Sequence, residues 1–322
     1  MKLPGVPVPL SRFVLGTMNF GDTVDNTVAK SIVDAALDAG VTGIDTANAY
    51  AAGRTEEILA DLLPGRRDSI VLATKAGMPH PDAGEHGLLS PQALRACVDG
   101  SLRRLGTDRI DLFYLHQPDR TTPVEDTMAT VADLVAEGKV LSLGVSNYAA
   151  WQIADLTTTA DRIGAPRPVV AQQLYNLLAR RVEDEYLEYA RTSGLLTMVY
   201  NPLGGGLLTG RHRFADTPDA GRFGDSRLAE MYRARYWDAR LFAAIERLSE
   251  VAAGAGLGLV ELSLRWLLDQ RDVGALLLGG STVDHLRANL AAAEAGPLPD
   301  DVRVACDEVG ADLRGPMPAY NR

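Results

Sequence analysis

SIVLATKAGMPHPDAGEHGLLSPQALRACVDGSLRRLGTDRIDLFYLH, residues 69–116, decides the fold. Its two ends, SIVLATK (69–75) and IDLFYLH (110–116), are near-continuous apolar runs of strand length. Such runs suit parallel strands whose outer face is covered by helices. Between them, SPQALRACVDGSLRRLG (90–106) reads as a helix that Ser90 and Pro91 open and Gly106 stops, with Leu94, Cys97, Val98, Leu102 and Leu105 on one stripe. The segment is therefore a strand, a crossover helix and a second strand.

The alternation extends in both directions. Strands are expected at 12–17, 41–47, 69–75, 110–116, 140–147, 169–176, 195–202 and 274–280. In TPVEDTMATVADLVAEGK (122–139), Thr122 is placed to cap, Pro123 to take the first helical position, Glu125 to complete a capping box and Gly138 to end the helix. Eight such alternations leave a closed barrel or an open doubly wound sheet, and the strand count favours closure. The expected architecture is a (β/α)8 TIM barrel in one domain over residues 1–322. One connection, 203–257, is long; it carries GRHRFADTPDAGRFGDSR (210–227) ahead of a helix around 236–253. The GAGLG at 254–258 follows an amphipathic helix containing Leu241, Ile245, Leu248 and Val251, whereas a dinucleotide fingerprint has to leave a strand.

Composition narrows the function. The 46% hydrophobic and 23% charged content fits a globular chain with a substantial core, and the net charge of −10 argues against general nucleic-acid or membrane-surface binding. Cys97 and Cys306 lack CxxC spacing, so neither a disulfide framework nor a zinc site is expected, and a reducing cytoplasm fits. His80, His86, His212 and His285 have no metal-ligand spacing either, so no metal is expected. The opening MKLPGVPVPL is unlike a signal peptide, and no apolar run reaches membrane-spanning length.

Active sites of such barrels lie where strands end, and four polar residues stand there: Asp45, Tyr50 five residues on, Lys75 and His116. Singly, each reads more simply as a helix cap, a packing ring, a solvated terminus and a loop histidine. Jointly they form a proton-donating device for a carbonyl being reduced. A tyrosine with an ordinary pKa near 10 is a slow donor at neutral pH, so Lys75 is expected to favour the phenolate, Asp45 to hold that lysine, and His116 to orient the carbonyl oxygen.

Three segments, GIDTANAY (43–50), LATK (72–75) and YLHQPD (114–119), resemble the catalytic tetrad segments of the aldo-keto reductases. The resemblance continues through GVSNYAAWQIADL (144–156), AQQLYNLLARRVE (171–183), YNPLGGGLLTGRH (200–212) and LLGGSTVDHLRANLAAAEAGPL (277–298). Within that superfamily DLFYLHQPD, NPLGGGLLTGR, GRFG, YRARYW and the terminal PAYNR are most similar to the aflatoxin-aldehyde and succinic-semialdehyde reductase group. It implies a reductase of small aldehydes or ketones that uses NADPH, with NADH also acceptable, and that works as a monomer or homodimer.

The resemblance also implies which residues hold the cofactor. Ser146, Asn147 and Gln172 would meet the nicotinamide carboxamide, with an aromatic of strand six, Tyr175 or a tyrosine near it, stacking nearby. Met18, Asp45, Asn201, Pro202, Leu203, Gly204, Gly206 and Leu208 would line the dinucleotide, the bare glycines approaching its pyrophosphate. Gly280, Ser281, Thr282, His285 and Asn289 would take the adenosine end at a helix N-terminus, with Arg211 and Arg222 turned toward phosphates. Tyr232 and Arg235 would meet the substrate, an arginine fork suiting a carboxylate. The chain departs from many relatives at Leu278, Gly279 and His285, which bears on NADPH preference, and at Ala51, where relatives usually have glycine. Two rival readings keep the same site: a cofactor-binding regulatory subunit, and a reductase of nucleotide-linked keto-sugars.

Overall fold

The computed structural model describes residues 1–216 and 218–315. Eight strands, β1 (Phe13–Gly16), β2 (Gly43–Asp45), β3 (Val71–Ala76), β4 (Ile110–Leu115), β5 (Val140–Ser146), β6 (Val170–Leu174), β7 (Leu196–Tyr200) and β8 (Ala275–Leu278), pair in parallel and in order, and β8 closes onto β1. The open sheet is thereby excluded. Every expected strand is present, each one to four residues shorter, because only the central residues enter the ladder.

The helices are α1 (Asn26–Asp38), α2 (Arg54–Ala60), α3 (Pro91–Leu105), α4 (Val124–Ala136), α5 (Ala150–Ile163), α6 (Tyr186–Thr192), α7 (Ala229–Tyr236), α8 (Ala239–Gly254), α9 (Leu259–Leu268), α10 (Val283–Glu294) and α11 (Asp300–Arg314). Ser90 accepts from the Ala93 amide at the start of α3, and Gly106 ends that helix in the left-handed region. At α4 the expected capping box is not formed. Pro123 holds the cap position, Thr122 Oγ1 donates to Asp119 at 2.7 Å, and Glu125 accepts from Arg162 at 2.7 Å. The stronger acceptor, a carboxylate, has taken the hydroxyl that was to cap.

The strands are mostly apolar because both faces are buried. Along β4, Leu112 and Tyr114 join the barrel interior with Val14, Val71, Val170 and Met198, while Phe113 and Leu115 pack outward against the helices. Leu3 and Leu10, ahead of β1, complete the interior. Gly43 makes room for them: a Cβ there would come 2.7 Å from Leu10 Cδ1.

After β7 the chain makes two helices where one was expected. Asp238 breaks them, accepting from the Arg240 amide as the cap of α8. Residues 254–258 then join α8 to α9, helix to helix, with no strand involved. No single helix among the described residues is long and apolar enough to cross a membrane.

Candidate active site

At the ends of β2, β3 and β4, Asp45, Lys75 and His116 converge with Tyr50. Lys75, wholly buried, uses its three N–H groups on Asp45 Oδ1, the Thr46 carbonyl at 2.9 Å and the Tyr50 hydroxyl oxygen at 3.2 Å. Asp45, also buried, accepts on its other oxygen from Gln172 Nε2 at 2.8 Å. The Tyr50 and His116 rings meet edge to face with centroids 5.9 Å apart.

Burial pushes the Asp45 carboxyl up and the Lys75 amine down, and each is the chief influence opposing that in the other. For Tyr50, burial comes first and the Asp45 charge second, and together they hold the phenol well above its usual 10. The expected phenolate is therefore not favoured: burial and the Asp45 charge prevail over the opposing Arg222 charge, and the tyrosine is a protonated acid. Burial, then the Lys75 charge, keeps His116 well below its usual range, so the imidazole is neutral.

Tyr50 is aimed by an unusual turn. Ala51, Ala52 and Gly53 have φ of 46°, 53° and 92°. A left-handed alanine costs about 1–2 kcal/mol, so Ala51, where the sequence departs from glycine, stores strain beside the reacting group.

Around this centre the expected carboxamide residues are assembled. Asn147, itself left-handed with φ 62°, donates to the His116 carbonyl at 2.9 Å and to Ser146 Oγ at 3.1 Å, and accepts from the Tyr200 hydroxyl at 2.6 Å. Tyr200 closes β7 and is the aromatic at the rim. Tyr175 is not: it is fully buried, donates to Glu183 at 2.7 Å and packs edge to face on Trp266 at 5.4 Å.

The arginines divide between two places. Arg211 reaches His285 Nε2 at 3.4 Å, and His285 Nδ1 lies 3.0 Å from Ser281 Oγ. Thr282 caps α10 beside them, and a Cβ on Gly280 would come 2.9 Å from the Thr282 carbonyl oxygen. Asn289 donates to the Gly279 carbonyl at 3.0 Å and braces this corner. Arg222, expected to turn toward phosphates, lies apart from this corner. It donates to Asn19 at 2.6 Å and to Asn201 at 3.3 Å and lies 5.0 Å from the Tyr232 ring centroid. Arg235 stands over the same ring at 6.0 Å. Tyr232, 2% exposed, donates to Asn201 Oδ1 at 3.2 Å and serves as the wall on which both guanidiniums rest. Among the described residues neither arginine has a carboxylate partner.

Asn201, left-handed at φ 54°, leads through half-buried Pro202 and Leu203 into Gly204, Gly205 and Gly206, at φ 57°, 72° and 111°. A Cβ on Gly205 would strike Tyr232 Cδ1 at 2.7 Å, whereas one on Gly206 would meet nothing within 4 Å. Met18, after β1, is half-buried against the core. The Leu208 side chain is fully buried, and its amide donates to the Leu203 carbonyl at 3.2 Å. The PAYNR segment, 318–322, lies outside the described residues.

Residues 12–311 match the aldo/keto reductase family model. The chain belongs to the aldo/keto reductase family. Human "Aldo-keto reductase family 7 member A3" is 40% identical over 300 residues, 88% of this chain and 89% of that protein. Human "Aflatoxin B1 aldehyde reductase member 2" is 39% identical over 307 residues, 91% and 84% of the two chains, and its mouse counterpart 38% over 324 residues, 96% and 87%.

In this aldo/keto reductase, sequence reasoning missed Asn19 and Tyr200. Tyr200 was within reach of the strand-end rule, as the last residue of β7 directly before Asn201. Asn19 was not, because its role appears only when Arg222, more than two hundred residues later, folds back onto it.

Proposed function

We propose that this aldo/keto reductase reduces aldehydes or ketones to alcohols with Tyr50 as proton donor and a nicotinamide cofactor, NADPH in preference to NADH. One observation carries the reading: Lys75 donates to the Tyr50 oxygen at 3.2 Å with its remaining N–H groups committed. The phenol's own proton is thereby left for a different acceptor, the oxygen of a carbonyl in the mouth.

The residues fit such a cofactor. Gln172 stands beside Asp45 and pairs with Ser146, to which Asn147 donates, the side-chain nitrogen of Asn201 is buried without a partner, and Gly206 faces open space after two further left-handed glycines. Arg211, Ser281, His285 and the free N–H groups of α10 would suit an adenosine phosphate, which supports the preference for NADPH. When bound, the cofactor supplies hydride to the carbonyl carbon. The chain does the rest. Tyr50 delivers its proton to the developing alkoxide, Lys75 steadies the phenolate left behind, Asp45 holds Lys75, and neutral His116, whose Nδ1 is buried and unpartnered, orients the carbonyl oxygen. Both cysteines are buried free thiols, which suits the reducing cytoplasm.

A spectrophotometric screen following NADPH consumption with succinic semialdehyde, nitrobenzaldehyde, diketones and keto-sugars tests the reading, and no turnover with any of them rejects it. Strong preference for keto-sugars would move the chain to the rival substrate class. With Tyr50 held protonated well above 10 and His116 neutral, kcat/KM is expected to stay flat from about pH 6 to 9. An alkaline fall near pH 8 would show that Lys75 prevails over burial after all.

Arg235, exposed at the rim beside Tyr200, is placed to grip a substrate carboxylate. Arg235→Ala is expected to lower kcat/KM for a carboxylated aldehyde about tenfold or more while changing that for a neutral aldehyde about twofold or less. Equal losses on both would remove the anchor.

A further inference from the structure

Behind the Tyr50 turn lies a cluster of buried polar groups that the reduction itself does not use. Arg104 donates to Glu56 at 2.8 Å and to Asp82 at 2.7 Å, and Glu56 accepts from Thr74 at 2.6 Å. His80 joins through Asp82, whose backbone amide donates to His80 Nδ1 at 3.2 Å. Asn48, fully buried, borders the cluster and meets the Cys97 thiol.

The His80 side chain is only 4% exposed. Burial, with Arg104 adding to it against the pull of Asp82, holds the ring below its usual range and therefore neutral. A neutral imidazole that accepts at Nδ1 carries its proton on Nε2. That Nε2 is buried and makes no direct hydrogen bond, and the Ala52 backbone is the one main-chain group that acts on the ring, favouring its protonated form. Ala52 is the middle of the three left-handed residues that follow Tyr50. The next residue, Gly53, is pressed against the same cluster: a Cβ there would come 2.9 Å from both Cδ and Nε of Arg104. Strained backbone of this kind persists only where its surroundings hold it.

We propose that His80 is a positioning residue whose Nε2–H holds the Ala52 carbonyl through one bridging water, keeping the turn wound and the Tyr50 hydroxyl at Lys75. The inference rests on the reading of Tyr50 as proton donor. His80 acts through the backbone, so its loss should touch the proton-transfer step and leave ground-state binding alone.

The test uses the full chain with NADPH and nitrobenzaldehyde, comparing His80→Leu and His80→Phe, which lack the donor, with His80→Gln, whose amide restores one. Both apolar variants are expected to lower kcat about tenfold, with KM for the aldehyde and Kd for NADPH within about twofold, and the glutamine to recover most of it. Melting temperatures are read alongside. Unchanged kcat in whichever apolar variant folds, or a loss that the glutamine does not relieve, overturns the proposal, as does a rise in KM that accounts for the whole effect. Tyr50→Phe run in parallel separates the two readings: if it still turns over, the assignment of the donor fails, whereas an inactive Tyr50→Phe beside a fully active His80→Leu rejects His80 alone.

Discussion

Tyr50→Phe is expected to lower kcat for carbonyl reduction about 100- to 10,000-fold, the span that a positioned general acid contributes. The substitution removes one oxygen that accepts from Lys75 and leaves the ring against His116. NADPH affinity should therefore hold within about twofold, because no cofactor contact is argued through the hydroxyl. Stopped-flow reduction at saturating NADPH, with the dissociation constant measured by fluorescence titration, checks both halves. A variant retaining more than about a tenth of wild-type kcat would mean that the proton comes from elsewhere.

Lys75→Met should be harmful in a different way, and its dependence on pH is the diagnostic. It leaves Asp45 buried without its cation, a change that typically costs about 3–5 kcal/mol when one partner of a buried pair is removed. Lys75 is the main influence holding Asp45 down, so without it burial raises the carboxyl further above its ordinary 3.8. A carboxyl whose folded pKa is raised contributes stability that is present below the unfolded value and lost as pH climbs through the folded one. The destabilisation is accordingly expected to be small near pH 4 and full near pH 8, measured by chemical denaturation at each. Adding Asp45→Asn removes the stranded charge and should restore most of the stability at pH 8, but none of the turnover. An equal loss at both pH values would show that packing, and not the stranded carboxylate, was responsible.

The two variants test different physical claims. The first concerns a proton donor, and its stability should barely move; the second concerns an ion pair in the barrel wall, and its stability should move first. Were both to lose activity in proportion to their melting temperatures, the tetrad would be a structural cluster only.

Local chemistry made much of this legible. The apolar runs at β3, β4 and β5 could be read as parallel strands because burial on both faces writes itself as an uninterrupted apolar string. Ser90 and Gly106 marked the ends of α3 because a cap satisfies neighbours in the chain. The same logic failed at Thr122, where Asp119 competed for the hydroxyl, and ahead of Asp238, the cap of α8, where α7 forms in a stretch read as connection.

The sequence by itself determined the alternation of strands and helices and the presence of Asp45, Tyr50, Lys75 and His116 at strand ends, since both follow from periodicity and from residues within a few positions of each other. Only the tertiary structure decided that Tyr50 stays a protonated acid, that Tyr200 and not Tyr175 faces the mouth, and that Arg222 rests on Tyr232 while Arg211 meets His285. Desolvation and charge act through space, and the groups that exert them on a side chain come from strands and loops far away along the chain.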